Sequence, residues 1–217
     1  MQIDFSILVS NTSRSCSYLK EFKKNKLEPE SIIYLDDKSN NKYFRILKKN
    51  KFFFPKIKVN KFYSKNISKS ISNFIYRNIT KVIVYSGYPG VILKYKKTLK
   101  NNFFLHSHSG KLPKYKGSTT IYYTLLNEKK IYCSTILMND KIDEGKILLI
   151  KNYNLPKNIK EIDKDFDDLI RSKNLVFLFK NFNLKKKVKL LKHNYKPYYV
   201  IHPVLRSAVF KKYEKNF

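Results

Sequence analysis

The amino-acid sequence predicts a single α/β domain built on a parallel-rich sheet with helices on both faces. Its first 36 residues alternate strand, helix and strand, at residues 5–9, 13–27 and 31–35, which is the opening of a βαβ unit. A further buried strand is predicted at residues 81–85, and later strand and helix patterns continue the alternation. The length of 217 residues suits one such domain and leaves little room for a second full one.

The first helix and the turn before it follow from local residue patterns. Over residues 13–27, Leu19 and Phe22 fall near one face, lysines lie opposite, and Ser13 is a candidate N-cap. The turn at residues 9–15 contains no glycine. The Gly-x-Gly-x-x-Gly loop with which dinucleotide-binding proteins bind phosphate is therefore absent from this turn. The sequence does not support a dinucleotide site there.

The rest of the chain gives signals of unequal strength. Residues 37–66 are polar, rich in Lys and Asn, and predict no definite element. The elements predicted beyond them are helices at 67–77, 119–127 and 161–182, a strand beginning at 103, and strands at 131–138 and 145–150. The last 35 residues predict an ordered strand at 198–201, packed back on the domain, and then a basic tail.

The chain is strongly basic, with 46 Lys and Arg against 16 Asp and Glu and a formal net charge of +30. Of the basic residues 41 are Lys and only 5 are Arg, and 21 Asn accompany them, a bias that an AT-rich genome produces. A protein selected to bind nucleic acid would use more Arg, whose fork matches phosphate and guanine edges. We therefore expect no specific nucleic-acid partner, although the charge would attract an anionic small substrate.

Three further observations exclude other classes of protein. No run approaches ~18 consecutive apolar residues, so we expect no transmembrane helix and no membrane partner. The N-terminus lacks the basic stretch and apolar run of a secretory signal. Cys16 and Cys133 are too few for a disulfide framework, which favours a cytoplasmic location. The oligomeric state stays open, with a homodimer as one option.

Reactive side chains concentrate in residues 105–145. His106 and His108 stand two positions apart at the end of a predicted strand, so both side chains can point to the same side. In an open α/β sheet, ligands bind at the carboxyl edge of the strands. Asp143 follows the next strand, which we expect to end at the same edge. A carboxylate there could orient an imidazole and stabilise its charged form.

The combined spacing in this stretch resembles the folate-dependent formyltransferases. The pattern in this chain reads His108-x-x-x-Leu112-Pro113-x-Tyr115-Lys116-Gly117 and later Ile142-Asp143-x-Gly145. That family includes methionyl-tRNA, phosphoribosylglycinamide and sugar N-formyltransferases. The resemblance covers roughly residues 80–150. It implies a Rossmann-like formyltransferase domain.

Carried over position by position, the resemblance implies that His108 is the catalytic histidine and Asp143 the catalytic aspartate. His106, also assigned to the catalytic set, stands where the family has an asparagine. In that family's reaction, the formyl oxygen becomes negatively charged as the amine attacks. A neutral imidazole at position 106 could still donate one hydrogen bond to this oxyanion. The resemblance also implies a site for the formyl donor 10-formyltetrahydrofolate, with contacts predicted at Tyr88, Pro89, Gly90, Val91, Ile92, Leu93, Asp140 and Ile142. No metal is expected.

The resulting hypothesis is an enzyme that moves a formyl group from 10-formyltetrahydrofolate to a primary amine, for which we favour a nucleotide-linked amino sugar. Residues 1–155 would be the catalytic domain, and residues 156–217 a C-terminal helix and basic extension packed on it. This extension is too short for the tRNA-contacting domain of methionyl-tRNA formyltransferases. The glycine-free turn at residues 11–15 departs from the glycinamide enzymes. Methionyl-tRNA and phosphoribosylglycinamide remain as alternative acceptors.

Two interpretations from other classes also stay open. His106, His108 and Asp143 could form a two-histidine, one-carboxylate metal site like that of non-haem iron oxygenases. The Leu-Pro and Asp-x-Gly context fits formyl transfer better than such a site. Alternatively, the chain could be a binding protein that kept the fold and lost the chemistry, with His106 as the mark of that loss.

Overall fold

The computed structural model describes residues 3–88, 94–181 and 194–214. Its strands are β1 (Phe5–Ser10), β2 (Ser31–Leu35), β3 (Lys58–Phe62), β4 (Val82–Ser86), β5 (Phe103–His108), β6 (Ile131–Leu137) and β7 (Lys146–Tyr153). The helices are α1 (Ser13–Lys24), α2 (Lys42–Lys49), α3 (Lys69–Asn78), α4 (Lys96–Asn101), α5 (Thr120–Glu128), α6 (Phe166–Asn181) and α7 (Pro203–Glu214). None of these described helices is long and apolar enough to cross a membrane.

All seven strands belong to one sheet, in the order β3-β2-β1-β4-β5-β6-β7. Pairing is parallel from β3 through β5 and antiparallel between β5 and β6 and between β6 and β7. The predicted parallel-rich α/β sheet is confirmed. The strand order reverses between β1 and β4, and in an open sheet this switch point is where a ligand crevice forms.

Helices cover both faces of the sheet because successive strand residues point to opposite sides. On one face, α1 and α6 pack over a core that includes Ile7 and Val84. On the other face, α3 and α4 pack over a core that includes Leu8 and Ile83. The central strands β1 and β4 are buried on both sides, which accounts for their nearly continuous apolar sequences.

The segment at residues 37–66 contains α2 and β3, neither of which the sequence pattern indicated. The side chain of Asn41 caps α2 by accepting hydrogen bonds from the amides of Tyr43 and Phe44, each at 2.9 Å. Only Leu47 of α2 is buried. Because β3 is an edge strand without a buried residue, its apolar signal is weak.

The C-terminal part also differs from the expectation. The predicted strand at 198–201 is a single parallel bridge between Tyr198 and Gly117. The segment predicted as a basic tail contains α7, which buries Val209 and Tyr213 one turn apart. The helix predicted over 161–182 is a short 3-10 helix followed by α6, and residue 182 lies outside the described residues.

Candidate active site

A cleft of about 1310 Å³ lies beside the carboxyl ends of β1, β4 and β5. Its walls come from the turn after β1, the end of β4, the loop after β5, the loop between β6 and β7, and one face of α6. His106, His108 and Asp143 all line this cleft. The structure thus brings together the three side chains that the sequence marked as catalytic candidates.

The ring of His108 is fixed by hydrogen bonds on one side. Its Nε2 lies 2.7 Å from the carbonyl oxygen of Tyr115 and 3.0 Å from the hydroxyl of Thr120. A carbonyl can only accept, so Nε2 must carry a hydrogen. The Thr120 hydroxyl donates to the carbonyl of Ser109 at 2.6 Å, which leaves its oxygen free to accept from His108. Nδ1 of His108 is therefore the atom directed towards Asp143.

Asp143 reaches His108 by a route that the sequence did not predict. We expected β6 to end at the same edge as β5, but the two strands are antiparallel, and the last residue of β6, Leu137, pairs with Leu105. The loop between β6 and β7 instead turns back towards His108. As a result, Oδ2 of Asp143 lies 3.4 Å from Nδ1 of His108. Gly145 permits this turn, because a Cβ there would clash with the Leu137 carbonyl.

Two contacts join this loop to the loop after β5. The Gly117 amide donates to Oδ2 of Asp143 at 2.9 Å, and Nζ of Lys116 lies 2.5 Å from Oε1 of Glu144. Gly117 has φ of 102°, and a Cβ would collide with the backbone of Tyr198. Burial would raise the pKa of Asp143, but the neighbouring histidines and the Gly117 amide hold it below its usual value.

His106 is held differently from His108. Its Nδ1 is buried and has no hydrogen-bond partner among the described residues. Its ring meets the ring of Tyr85 edge-on, with centroids 6.2 Å apart. Burial, reinforced by the positive charge of Arg14, holds the pKa of His106 well below its usual range. The imidazole is therefore neutral near pH 7, as expected from the sequence.

Sequence reasoning missed a second ion pair at the cleft, between Arg171 and Asp167 on α6. Nε of Arg171 lies 3.2 and 3.1 Å from the two Asp167 oxygens. Its other nitrogens donate to the Ser107 carbonyl at 2.8 Å and to the Ser109 hydroxyl at 2.7 Å. These bonds hold the end of β5 on both sides of His108. The scarcity of arginine in a lysine-rich chain is the signal that could have identified it.

The turn between β1 and α1 is filled by side chains. Nδ2 of Asn11 donates to the carboxylates of Asp36 and Asp37, at 3.2 and 2.8 Å, and Tyr34 donates to its Oδ1 at 2.6 Å. Arg14 donates to the Gly87 carbonyl at 2.6 Å. Acidic groups therefore stand beside the N-terminus of α1, where a phosphate-binding turn would have only amides.

The predicted folate contacts fall partly within the described residues. Tyr88, Asp140 and Ile142 line the cleft, and Ile142 is half-exposed there. The other predicted contacts, Pro89, Gly90, Val91, Ile92 and Leu93, lie outside the described residues. Tyr85, Ile136 and Met138 also line the cleft and contribute apolar surface to it.

Comparison with known proteins gives a consistent result. No family model matches the chain. Methionyl-tRNA formyltransferase of Orientia tsutsugamushi (strain Boryong) is 32% identical over 93 residues, which is 42% of this chain and 30% of that protein. The chain therefore aligns with less than a third of that relative's length.

Solved formyltransferase structures match most of the chain. A 4-N formyltransferase from Francisella tularensis has a TM-score of 0.62 at 13% identity and covers 97% of this chain and 87% of its own. A sugar N-formyltransferase from Shewanella sp FDAARGOS_354 has a TM-score of 0.57 at 16% identity, covering 89% and 76%. Glycinamide ribonucleotide transformylase 1 from Symbiobacterium toebii has a TM-score of 0.61 at 13% identity, covering 88% and 95%. The resemblance to the folate-dependent formyltransferases is confirmed, and this chain has their Rossmann-like fold.

Proposed function

We propose that this protein is an enzyme that transfers a formyl group from 10-formyltetrahydrofolate to a primary amine. The observation that carries the proposal is the pair formed by His108 and Asp143, 3.4 Å apart, beside a neutral His106 in a large cleft. On this fold, the arrangement offers the donors and the carboxylate that acyl transfer to an amine requires.

Each of the three side chains has a distinct role in this mechanism. When bound, the folate supplies a formyl group attached to nitrogen. A ring N–H of His106 would stabilise the negative charge that develops on the formyl oxygen during attack by the amine. The Tyr115 carbonyl holds the Nε2 hydrogen of His108, so Nδ1 is the ring atom that can exchange a proton with Asp143. Asp143, paired with Nδ1 of His108, would accept the proton that the amine loses, and that proton would pass to the folate nitrogen as its bond to the formyl carbon breaks.

We favour an amino sugar, linked to a nucleotide, as the acceptor. The acidic groups around Asn11 disfavour a phosphate at the N-terminus of α1, the position that a phosphoribosyl acceptor would need. Carboxylates lining the same side, among them Asp168, suit the hydroxyl groups of a sugar. Tyr198, stacked on Tyr115 with ring centroids 5.6 Å apart, supplies an aromatic wall from the C-terminal segment. The basic surface would attract the diphosphate.

Folate binding is tested by thermal unfolding with a non-reactive 10-formyltetrahydrofolate analogue. A ligand that binds only the folded state stabilises it, by about 2.7 kcal/mol at a concentration 100-fold above its Kd. We expect a concentration-dependent rise in the melting temperature. An unchanged melting temperature at saturating analogue would rule out the folate assignment.

The acceptor is tested by measuring formyl transfer to a panel of amines. The panel contains nucleotide-linked amino sugars, phosphoribosylglycinamide and methionyl-tRNA, each with 10-formyltetrahydrofolate. We expect turnover with a member of the first class and little with the others. Preferred turnover with methionyl-tRNA would support the alternative acceptor and leave the formyl-transfer proposal intact.

A further inference from the structure

His106, His108 and Asp143 bring two imidazoles and one carboxylate together in the cleft. We propose that His106, His108 and Asp143 bind a Zn²⁺ ion at the head of the cleft. This inference goes beyond the proposed function, because an ion held there would occupy the groups that formyl transfer uses. Zinc binding and formyl transfer would therefore exclude each other.

The spacing of the three groups suits a small cation. One ligand atom from each side chain lies within 4.8 Å of the other two. Nδ1 of His108 and Oδ2 of Asp143 are 3.4 Å apart. Two ligands of a tetrahedral Zn²⁺ with bonds of about 2.0–2.1 Å lie about 3.3 Å from each other. The pair already has the required separation, and a ligand atom of His106 lies within 4.8 Å of both of its atoms.

The hydrogen bonds around His108 prepare its Nδ1 as a ligand. Because Nε2 gives its hydrogen to the Tyr115 carbonyl, the neutral ring leaves a lone pair on Nδ1. That lone pair faces the carboxylate of Asp143, and two electron-rich atoms at this separation repel unless a proton or a cation lies between them. A backbone carbonyl behind a ligating histidine is also the usual outer partner in zinc sites.

The other two ligands have matching features. Oδ2 of Asp143 is oriented by the Gly117 amide at 2.9 Å, so the carboxylate is held towards the histidines. Nδ1 of His106 is buried without a partner among the described residues, so with the ring hydrogen on Nε2 it can donate its lone pair to a metal ion. An orphaned buried nitrogen costs stability, and a bound cation would remove that cost.

The donor set favours Zn²⁺ over the hard cations. Two imidazoles and one carboxylate with an open fourth position, supplied here by water in the cleft, match the ligands that Zn²⁺ takes. The harder cations Mg²⁺ and Ca²⁺ prefer oxygen ligands and larger coordination numbers. The positive charges of Arg14 and Arg171 act on His106 and will weaken the binding of a cation there. We therefore expect Zn²⁺ to bind reversibly.

The experiment is calorimetric titration of ZnCl₂ into the full chain, purified without a polyhistidine tag and freed of metal by chelation. We expect one equivalent to bind. The variants His106→Asn and His108→Asn should each weaken binding about 100-fold or more. His202→Asn is the matched control, since His202 is exposed and lies outside the cleft, and it should bind like the parent.

A second probe covers the case in which a substitution perturbs folding. The parent and variants are compared by circular dichroism, and Co²⁺ replaces Zn²⁺ so that four-coordinate ligation appears in the visible absorption spectrum. The absence of binding by the parent, or equal binding by His106→Asn, would overturn the proposal. Folate binding by the metal-free protein is measured separately. A chain that binds folate but not zinc refutes only this inference, and the reverse result refutes only the proposed function.

Discussion

Two acid–base pairs lie side by side in the cleft, at the carboxyl end of β5. Arg171 and Asp167 form one, called here the closed pair, and His108 and Asp143 form the other, called the open pair. The open pair is the more buried, with side chains 3% and 9% exposed against 13% and 29% for the closed pair. Burial therefore does not distinguish the pair that we expect to be structural from the pair that we propose to be reactive.

The difference lies in how completely each pair is satisfied. The Arg171 guanidinium donates to both Asp167 oxygens, to a backbone carbonyl and to a serine hydroxyl. His108 and Asp143 have outside partners in Tyr115 and Gly117, but they meet each other only across 3.4 Å, and Nδ1 of His106 has no partner among the described residues. A site that must bind a proton, an oxyanion or a metal needs such unused capacity, and a structural ion pair does not.

The largest effect should come from breaking the open pair. His108→Ala and Asp143→Ala should each lower kcat by about 10³-fold or more, because each removes a group that carries charge or a proton in the transition state. The measurement is steady-state formyl transfer, with circular dichroism to establish that the fold is retained. His202→Ala serves as the control. If Asp143→Ala kept most of its turnover, the open pair would not be catalytic.

His106 should give the next largest effect. His106→Ala should lower kcat by about 10²-fold, the scale for removing one oxyanion donor. His106→Asn should lose much less, because the amide restores a neutral donor at the same place. The comparison of kcat for the two variants at saturating substrate tests this. Full activity of His106→Ala would contradict the role assigned to that ring.

The closed pair should affect stability more than chemistry. Arg171→Ala leaves Asp167 without its partner and should lower the free energy of unfolding by about 2 kcal/mol, since partial exposure reduces the penalty seen for fully buried pairs. Arg171→Lys keeps the charge and should lose less. Urea unfolding measures both variants. Arg171→Ala with unchanged stability would show that the pair is not structural.

The smallest effect concerns the pH dependence of stability. Burial would raise the pKa of Asp167, but the charge and hydrogen bonds of Arg171 hold it below its usual value. A group whose pKa is lowered on folding stabilises the protein above its unfolded pKa of about 3.9, and this contribution is lost as the pH falls below that value. The difference in unfolding free energy between the parent and Asp167→Asn should therefore narrow on acidification. A difference that stays constant down to about pH 3 would contradict this.

The sequence predicted the parts of the molecule in which local pattern and tertiary structure agree. The βαβ opening and the buried strand β4 followed from apolar runs, and His106 and His108 followed from their spacing on one strand. Helix α7 was missed because lysines obscure its two buried positions. The sequence placed Asp143 correctly for an incorrect reason, since strand direction depends on partners distant along the chain. The closed pair was missed because no local pattern connects Arg171 to the end of β5.

The hydrogen bond from the Gly117 amide to Asp143 has a practical consequence. It crosses between two loops, so the exchange rate of this single amide proton reports whether the loop that carries Asp143 is closed over the histidine. The chain has five glycines, which makes this signal easy to assign in an amide correlation spectrum. One resonance can thus follow the assembly of the site in solution, without substrate and without a substitution that alters it.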